Sequence, residues 1–359
     1  MPIDFDVSDA QRAFQDTVEA YLAHTCPPQK ILSAFKDTSL SESVWRGACE
    51  LGLPGVLTPV DYDGLGLGFL DAAVIAEAIG RFGAPSCLAE HWVATAALAG
   101  SAHHALKQKW LPALAAGAAR ASVCFAGGDE RWTPAEWSLE PGKTLNAICP
   151  HTPWAGGADI LLIGLAGGRL GIIEAVSGVV SAQPAHSLDA TRPLAMLTIK
   201  NATLHVISED SALAWRMFDL WATLLAADAS GGASHCLNAT VGYVKQRVQF
   251  GVPIGQFQGV KHQLADMALN TGPICGLYWY AAHALDTDMP DASRAAAQAK
   301  AHCTVAFVDA ARKAIELHGG IGYTWEYGLH IWLRRSLYNR QYLGGPRKHR
   351  ARVADLSGW

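Results

Sequence analysis

The residues best suited to chemistry lie in two segments of the last third of the chain. "RVQFGVPIGQFQG" (247–259) offers the guanidinium of Arg247, and "ELHGGIGYTWEY" (316–327) offers a cluster of glycines. A guanidinium presents a fork of donors that matches a phosphate, and glycine lets a ligand approach the backbone closely. Taken one by one, the same residues also fit a helix cap, a core phenylalanine and a tight turn. A group that could move a proton is not evident in the cationic stretch that follows, which ends in "YLGGPRKHR".

The composition indicates a globular protein without a nucleic-acid partner. The chain has 359 residues, half of them hydrophobic, and a formal net charge of −4, which favours two or three domains and no basic surface for nucleic acid. The N-terminal "MPIDFDVSDAQ" is acidic and lacks the apolar core of a signal peptide. The apolar stretch 158–180 contains Asp159, Arg169 and Glu174, which are costly in a bilayer, so it predicts strands of a soluble protein.

The cysteines predict a reducing compartment. Eight of them are scattered along the chain, and no two form a CxxC pair. This pattern favours thiols in the cytoplasm over a disulfide framework or a zinc site, and we expect no metal centre.

Three zones of different texture predict an α+β multidomain protein. Residues 1–118 carry amphipathic helices, the first with Ser8 as its N-cap; residues 119–207 carry short β-strands; residues 208–359 are helical again. A long helix is predicted to begin near Glu209 and end at Gly251. Gly231 and Gly232 lie inside it and predict a close contact with another helix, since glycine otherwise weakens a helix. A further helix is predicted from Asp291 to Gly319.

Several segments in a consistent order resemble the acyl-CoA dehydrogenase family. They are "RVQFGVPIGQFQGVKHQLADM" (247–267), "LHGGIGYTWEY" (317–327), "LGLPGVLTPVDYDGLGLGFLDAAVIAEAIGRFGAP" (51–85), "LKQKWLPALAAG" (106–117) and "LDATRPLAMLTIKNATL" (188–204). The resemblance implies an N-terminal helical bundle, a middle β domain and a C-terminal four-helix bundle. It also implies FAD held across a subunit interface, with the flavin ring on one subunit and the ADP part on its neighbour.

One set of residues would, by resemblance, bind the neighbour's FAD. The set consists of Arg247, Phe250, Gln258, Glu316, Gly319, Gly320 and Gly322. Arg247 would contact the pyrophosphate, Phe250 would pack near the adenosine, and Gln258 and the glycines would approach the pyrophosphate. Glu316 departs from the glutamine that many members carry there, and a carboxylate beside a pyrophosphate is unfavourable.

The second set would serve the chain's own flavin, and here the sequence departs from the family pattern. The family carries an "ALTEPxxGSD"-like stretch that binds the flavin ring, whereas this chain reads "SVCFAGGDERWTP" (122–134). The Thr-Glu-Pro is missing, and Ala126 and Gly127 stand near its place. His151, Thr152 and Trp154 follow and are the candidates to substitute.

The catalytic base is the sharper departure. By resemblance, the reaction removes a proton from the carbon α to a thioester, and a carboxylate in a dry pocket is the usual base. The two positions at which family members carry it correspond here to Leu343 and to Trp221, which lies 26 residues before Arg247. The threonine that helps to hold flavin corresponds to Gly345. Asp219 lies about 200° around the helix from Trp221 and is the remaining candidate base.

Three hypotheses follow from the resemblance. In the first, the chain is one subunit of a heteromeric acyl-CoA dehydrogenase, an α2β2 assembly acting on a steroid or other bulky acyl-CoA, and completes a partner's FAD site. In the second, it is a homomeric enzyme with a displaced carboxylate base. In the third, it is a binding or scaffold protein, or the fold serves other flavin chemistry. The first two imply an acyl-CoA substrate and an electron-transfer flavoprotein or similar acceptor.

The cations after Tyr327 have two interpretations. They are Arg334, Arg335, Arg340, Arg347, Lys348, Arg350 and Arg352. They can meet the phosphates of CoA or of a partner, or they can form solvated helix faces and ion pairs with a partner subunit.

Overall fold

Helices dominate both ends of the chain. The computed structural model describes residues 7–125 and 131–359, so the predicted flavin-stretch residues Ala126 and Gly127 lie outside the described residues. The helices are α1 (Asp9–Thr25), α2 (Pro28–Ile31), α3 (Ser39–Glu50), α4 (Phe69–Arg81), α5 (Leu88–Gly100), α6 (His104–Ala115), α7 (Ser211–Gln246), α8 (Gln258–Thr271), α9 (Cys275–Asp286), α10 (Ala292–His318), α11 (His330–Gln341) and α12 (Pro346–Leu356). In residues 7–125 and 131–359, no helix has the length and apolar character to cross a bilayer.

The strands lie in the middle of the chain, as predicted. They are β1 (Ala121–Cys124), β2 (Thr144–Pro153), β3 (Ile160–Leu165), β4 (Arg169–Glu174), β5 (Val180–Ala185), β6 (Leu194–Thr203) and β7 (His205–Ser208), followed later by the short β8 (Val248–Gln249) and β9 (Val252–Pro253). One sheet has the order β1-β3-β4-β7, in which β1 and β3 are parallel, and the other is the antiparallel β2-β6-β5. Leu161 and Ile163 of β3 share one apolar core with Leu197 and Ile199 of β6.

The predicted fold class is confirmed, since helices, β-sheets and helices follow one another in that order. By its internal contacts the chain divides into two compact units. The C-terminal unit comprises Met1–Val44, Ala73–Pro85 and Thr223–Trp359, and the sheet unit comprises Trp45–Ala72 and Ser86–Ala222. The division into domains 1–118, 119–207 and 208–359 stays a prediction. All eight cysteines remain thiols.

The observed ends of α1, α7 and α10 can be compared with those predicted from caps and glycines in the sequence. Ser8 caps α1, and α10 begins after Asp291 and ends at Gly319, as predicted. The predicted end of α7 at Gly251 is wrong, because the helix stops at Gln246 and the chain turns into the β8–β9 hairpin. Phe250 and Gly251 at the hairpin tip have φ of 53° and 80°, which a helix cannot contain.

The predicted close helix contact is confirmed in the C-terminal unit, between α4 and α7. A Cβ atom on Gly231 would lie 1.9 Å from the Glu77 carbonyl oxygen, and one on Gly80 would lie 2.0 Å from the Asp228 carbonyl oxygen. The two backbones therefore touch at paired glycines. Gly232 faces α10, where a Cβ would lie 2.2 Å from the Phe307 ring.

A buried polar cluster fixes α11 beside this crossing. The Asp228 carboxylate accepts hydrogen bonds from Arg335 Nε at 2.9 Å, Arg335 Nη2 at 2.5 Å and Asn339 Nδ2 at 2.6 Å. Arg335 also donates to the Ala84 carbonyl at 3.1 Å, just after α4. Both charges are buried, so removal of one partner would cost about 3–5 kcal/mol.

Gly231→Ala should lower the free energy of unfolding by about 1–3 kcal/mol or more, because its methyl group must push α4 away from α7. Gly242→Ala is the matched control on the same helix, since no atom of the described part of the chain lies within 4 Å of its Cβ position. That variant should gain about 0.5–1 kcal/mol from helix propensity. Urea unfolding measures both, and equal effects of the two substitutions would contradict the packing assignment.

Candidate functional site

The hairpin after α7 presents the first predicted residues to solvent. Arg247 is exposed, and its carbonyl accepts a hydrogen bond from the Ile254 amide at 2.8 Å, which closes the hairpin. The Phe250 side chain is 92% exposed and lies on a backbone with φ 53°, so it is not a core residue. Its ring contacts that of Phe257 edge-on, with centroids 6.2 Å apart. Positive φ is uncommon for a bulky residue other than glycine, so the backbone at Phe250 is strained.

The three glycines after α10 differ in why glycine stands at each position. Gly319 has φ 64° and ψ −142°, a conformation that essentially requires glycine. Gly322 is needed for packing, because its Cβ would lie 2.5 Å from the Ile315 carbonyl oxygen. Among the described residues, nothing lies within 4 Å of the Cβ position of Gly320. The fold therefore requires two of the glycines, while the open backbone at Gly320 has no internal explanation.

An aromatic stack joins the hairpin to the glycine segment and was missed by sequence reasoning. Tyr243 lies one turn before Arg247, donates from its hydroxyl to the His318 carbonyl at 3.3 Å and stacks on the His318 ring with centroids 4.2 Å apart. The Tyr327 ring lies 5.0 Å from His318. His318 Nδ1 donates to the Ala314 carbonyl at 2.7 Å, so Nε2 is a buried acceptor, and it has no partner within the described residues. Burial lowers the pKa of His318, which favours the neutral imidazole.

Lys313 forms an ion pair with Glu316, the carboxylate that would be unfavourable beside a pyrophosphate. Glu316 Oε2 accepts a hydrogen bond from Lys313 Nζ at 2.7 Å, and the same ammonium donates to Gln263 on α8 at 3.0 Å. Gln258 is exposed at the first position of α8. The predicted residues thus lie on elements of one unit that are joined by direct contacts.

The turn after α11 carries no group that can accept a proton from a substrate carbon. Leu343 is fully buried and has φ 62°. Lys300 Nζ donates to the carbonyls of Asn339 at 2.7 Å and Gly344 at 3.4 Å, and His349 Nε2 donates to the Leu343 carbonyl at 3.0 Å. Burial lowers the pKa of Lys300 to about 7 and that of His349 to about 3. Gly345 follows as the N-cap of α12.

The other base position lies in the sheet unit and is also occupied by an apolar ring. Trp221 is fully buried on α7, and its ring centroid is 5.6 Å from that of Phe125. Asp219 is buried on the same helix. The orientation of Asp219 toward a substrate stays a prediction.

The candidate substitutes for the lost flavin stretch lie at the end of β2. His151 and Trp154 have φ of 59° and 53°, and His151 is exposed. Thr152 is buried, and its hydroxyl donates to the Cys149 carbonyl of its own strand at 3.4 Å. Their role stays a prediction. In residues 7–125 and 131–359 no cluster of His, Cys, Asp and Glu is arranged to hold a metal ion.

Comparison with known proteins decides the family. Residues 8–118 match the model of the acyl-CoA dehydrogenase N-terminal domain, and residues 212–356 match that of the C-terminal domain. The chain is 31% identical over 348 residues to acyl-CoA dehydrogenase IpdE2 of Mycobacterium tuberculosis, and the match covers 95% of both chains. The chain belongs to the acyl-CoA dehydrogenase family. The family resemblance of the sequence is thereby confirmed. Members of this family are oxidoreductases that act on CH–CH bonds.

Three further proteins are similar to this acyl-CoA dehydrogenase. Acyl-CoA dehydrogenase FadE34 of Mycobacterium tuberculosis is 31% identical in an alignment of 364 positions, which covers 98% of this chain but 48% of FadE34. The solved structure described as "Tcur3481-Tcur3483 steroid ACAD G363A variant" superposes with a TM-score of 0.89 at 27% identity and 98% coverage of both chains. Butyryl-CoA dehydrogenase from Megasphaera elsdenii, at 20% identity and a TM-score of 0.87, shares the fold.

His349→Gln should make the stability of this acyl-CoA dehydrogenase less sensitive to acid. The folded pKa of His349, about 3, lies below its ordinary 6.5, so the histidine's stabilisation is complete above pH 6.5. It falls by about 1.4 kcal/mol per pH unit as the pH drops from 6.5 toward 3, because only the unfolded chain takes up the proton. Glutamine keeps a donor for Leu343 but does not titrate.

The slope of unfolding free energy against pH, measured in urea, should therefore decrease by about that amount between pH 6 and pH 4. His24→Gln, at an exposed position on α1, is the control and should leave the slope unchanged. An unchanged slope in His349→Gln would show that this side chain is not held neutral.

Proposed function

We propose that this chain is a subunit of an FAD-dependent acyl-CoA dehydrogenase heteromer and completes the FAD site of a homologous partner that carries the catalytic base. The observation that carries the proposal is a contrast within the C-terminal unit. Arg247 and Phe250 are presented to solvent, and Phe250 is 92% exposed, while Leu343 at a base position is fully buried and aliphatic. The chain offers a cofactor-binding half and lacks a proton-transfer half.

The exposed residues fit the ADP part of FAD. Arg247 would bind the pyrophosphate through its guanidinium fork, and Phe250 would lose its exposed area against the adenosine. Gly320 leaves backbone open to a close approach, and His318 Nε2 is a buried acceptor without a partner in the described part of the chain. Lys313 offsets the charge of Glu316.

The missing base explains why a partner is needed. Flavin, when bound, accepts the hydride that leaves the β carbon of the acyl chain. A proton must leave the α carbon as well, and neither Leu343 nor Trp221 can take it. The turn that holds Leu343 is fixed by Lys300 and His349, so a small movement of this loop does not bring in a carboxylate.

The relatives support the assembly and the substrate class. The name Tcur3481-Tcur3483 joins two proteins under one steroid acyl-CoA dehydrogenase, and this chain is equivalent to about half of FadE34. We therefore propose a steroid or other bulky acyl-CoA thioester as substrate and an electron-transfer flavoprotein or similar acceptor. A cytoplasmic location agrees with eight cysteines that remain thiols.

The lone chain should purify with little FAD and no thioester oxidation, whereas a complex with the homologous subunit should hold FAD and oxidise acyl-CoA. Flavin absorbance and dye-coupled oxidation of a steroid side-chain acyl-CoA measure both properties. The partner alone is the necessary control. Full FAD loading together with activity in the lone chain would contradict the proposal.

Arg247→Ala should weaken FAD binding by the complex about 10–100-fold, because a charge-assisted bond to phosphate contributes about 1.5–3 kcal/mol. The change should appear in the Kd of FAD for the apo-complex, while kcat at saturating FAD stays within a few-fold. Lys245→Ala is the matched control, an exposed cation two residues earlier. Equal losses in the two variants would indicate a general charge effect instead of a phosphate contact.

A homomeric enzyme with Asp219 as a displaced base is the second candidate. The observation that favours it is the complete burial of this carboxylate near Trp221 on α7. In that case the lone chain would hold FAD and turn over, and Asp219→Asn would abolish turnover without loss of FAD. Turnover of the complex that persists in Asp219→Asn would remove this candidate.

A further inference from the structure

The end of β1 and the middle of α7 meet through aromatic rings in the sheet unit. Phe125 directly follows β1, within the stretch 122–134 that departs from the family's flavin-binding pattern, and Trp221 stands at one of the two base positions. Their ring centroids are 5.6 Å apart and their planes are at 70°. The two positions that would border a flavin and its substrate are therefore in contact with each other.

A third ring completes this cluster. Trp137 packs on Phe125 with ring centroids 4.6 Å apart and planes at 36°. The exposed fractions of Phe125, Trp137 and Trp221 are 2%, 5% and 0%. All three rings thus belong to the packed interior of the sheet unit.

The surroundings of Trp137 are shaped for an indole. Its Nε1 donates a hydrogen bond to the Trp132 carbonyl at 3.1 Å. On β3, a Cβ at Gly164 would lie only 2.6 Å from Trp137 Cδ2, so the strand accommodates the ring by carrying no side chain there. The Trp137 ring therefore has a hydrogen-bond partner in Trp132 and a closely fitting surface at Gly164. Both features indicate that the ring is packed specifically at this position.

We propose that Phe125, Trp137 and Trp221 form an aromatic plug that closes the flavin-ring position of this chain. A planar ring inserted between Phe125 and Trp221 would need about 3.5–4.0 Å of clearance on each face, or about 7–8 Å in total. The observed edge-to-face contact leaves no such space. The residues present do not fit a flavin ring, and the site holds neither a flavin nor an acyl chain.

This inference deepens the proposed function but can fail separately from it. The plug belongs to one chain, whereas the proposed function concerns an assembly and its activity. If both hold, the complex contains half as many FAD molecules as chains. A flavin in every chain of an active complex would overturn the plug and leave the heteromer intact.

The first experiment uses lumiflavin, the flavin ring without the ADP part that the Arg247 set would bind. Equilibrium dialysis of the lone wild-type chain with lumiflavin should show no saturable binding. The plug would be overturned if the wild-type chain bound lumiflavin saturably at one site per chain and if Gly164→Leu, which places a large side chain against Trp137, abolished that binding.

The second experiment opens the plug. Trp221→Gly should lower Tm, and millimolar indole should restore it, because a buried apolar void of matching shape binds such a ligand. Trp215→Gly is the control on the same helix, at a half-buried position, and indole should leave its Tm unchanged, as it should for the wild type. A folded Trp221→Gly variant that indole does not stabilise would contradict the packing. If that variant does not fold, the lumiflavin result and the FAD count decide.

Discussion

The buried ion pair between Asp228 and Arg335 is the interaction on which the C-terminal unit depends. Asp228 lies on α7 where the backbones of α4 and α7 touch, so its carboxylate cannot reach water and must be satisfied inside. Arg335 meets it in a fork and also donates to Ala84 after α4. One guanidinium thereby joins three helices, and its loss would leave a buried charge unpaired.

That constraint extends to the turn where a base would stand. Once α11 is fixed, its C-terminal carbonyls and the turn beyond it need donors, and Lys300 and His349 supply them from α10 and α12. Leu343 is held at positive φ in this frame, in a position that is rigid and dry. Burial of this kind would raise the pKa of a carboxylate, as a catalytic base requires, but the leucine at this position cannot accept a proton.

The two sets of residues that the family resemblance assigns to flavin binding have opposite surroundings in this chain. Around Arg247 and Phe250 the chain presents an exposed apolar ring, an exposed cation and open glycine backbone to solvent. Around Trp221 the aromatic rings of Phe125 and Trp137 pack in the interior of the sheet unit. This contrast is the one that the proposed division of labour between two homologous subunits would produce.

Local patterns in the sequence determined the family, the order of helices and sheets, the cap at Ser8 and both ends of α10, because caps, glycines and periodicity act over a few residues. They also indicated the absence of a carboxylate at positions 221 and 343. Only the tertiary structure decided that α7 ends at Gln246, because the competing hairpin is stabilised by its own strand pairing. Likewise, only contacts between residues far apart in the chain separated the open Gly320 from the packed Gly322 and brought Phe125 against Trp221, since packing depends on distances that no local pattern encodes.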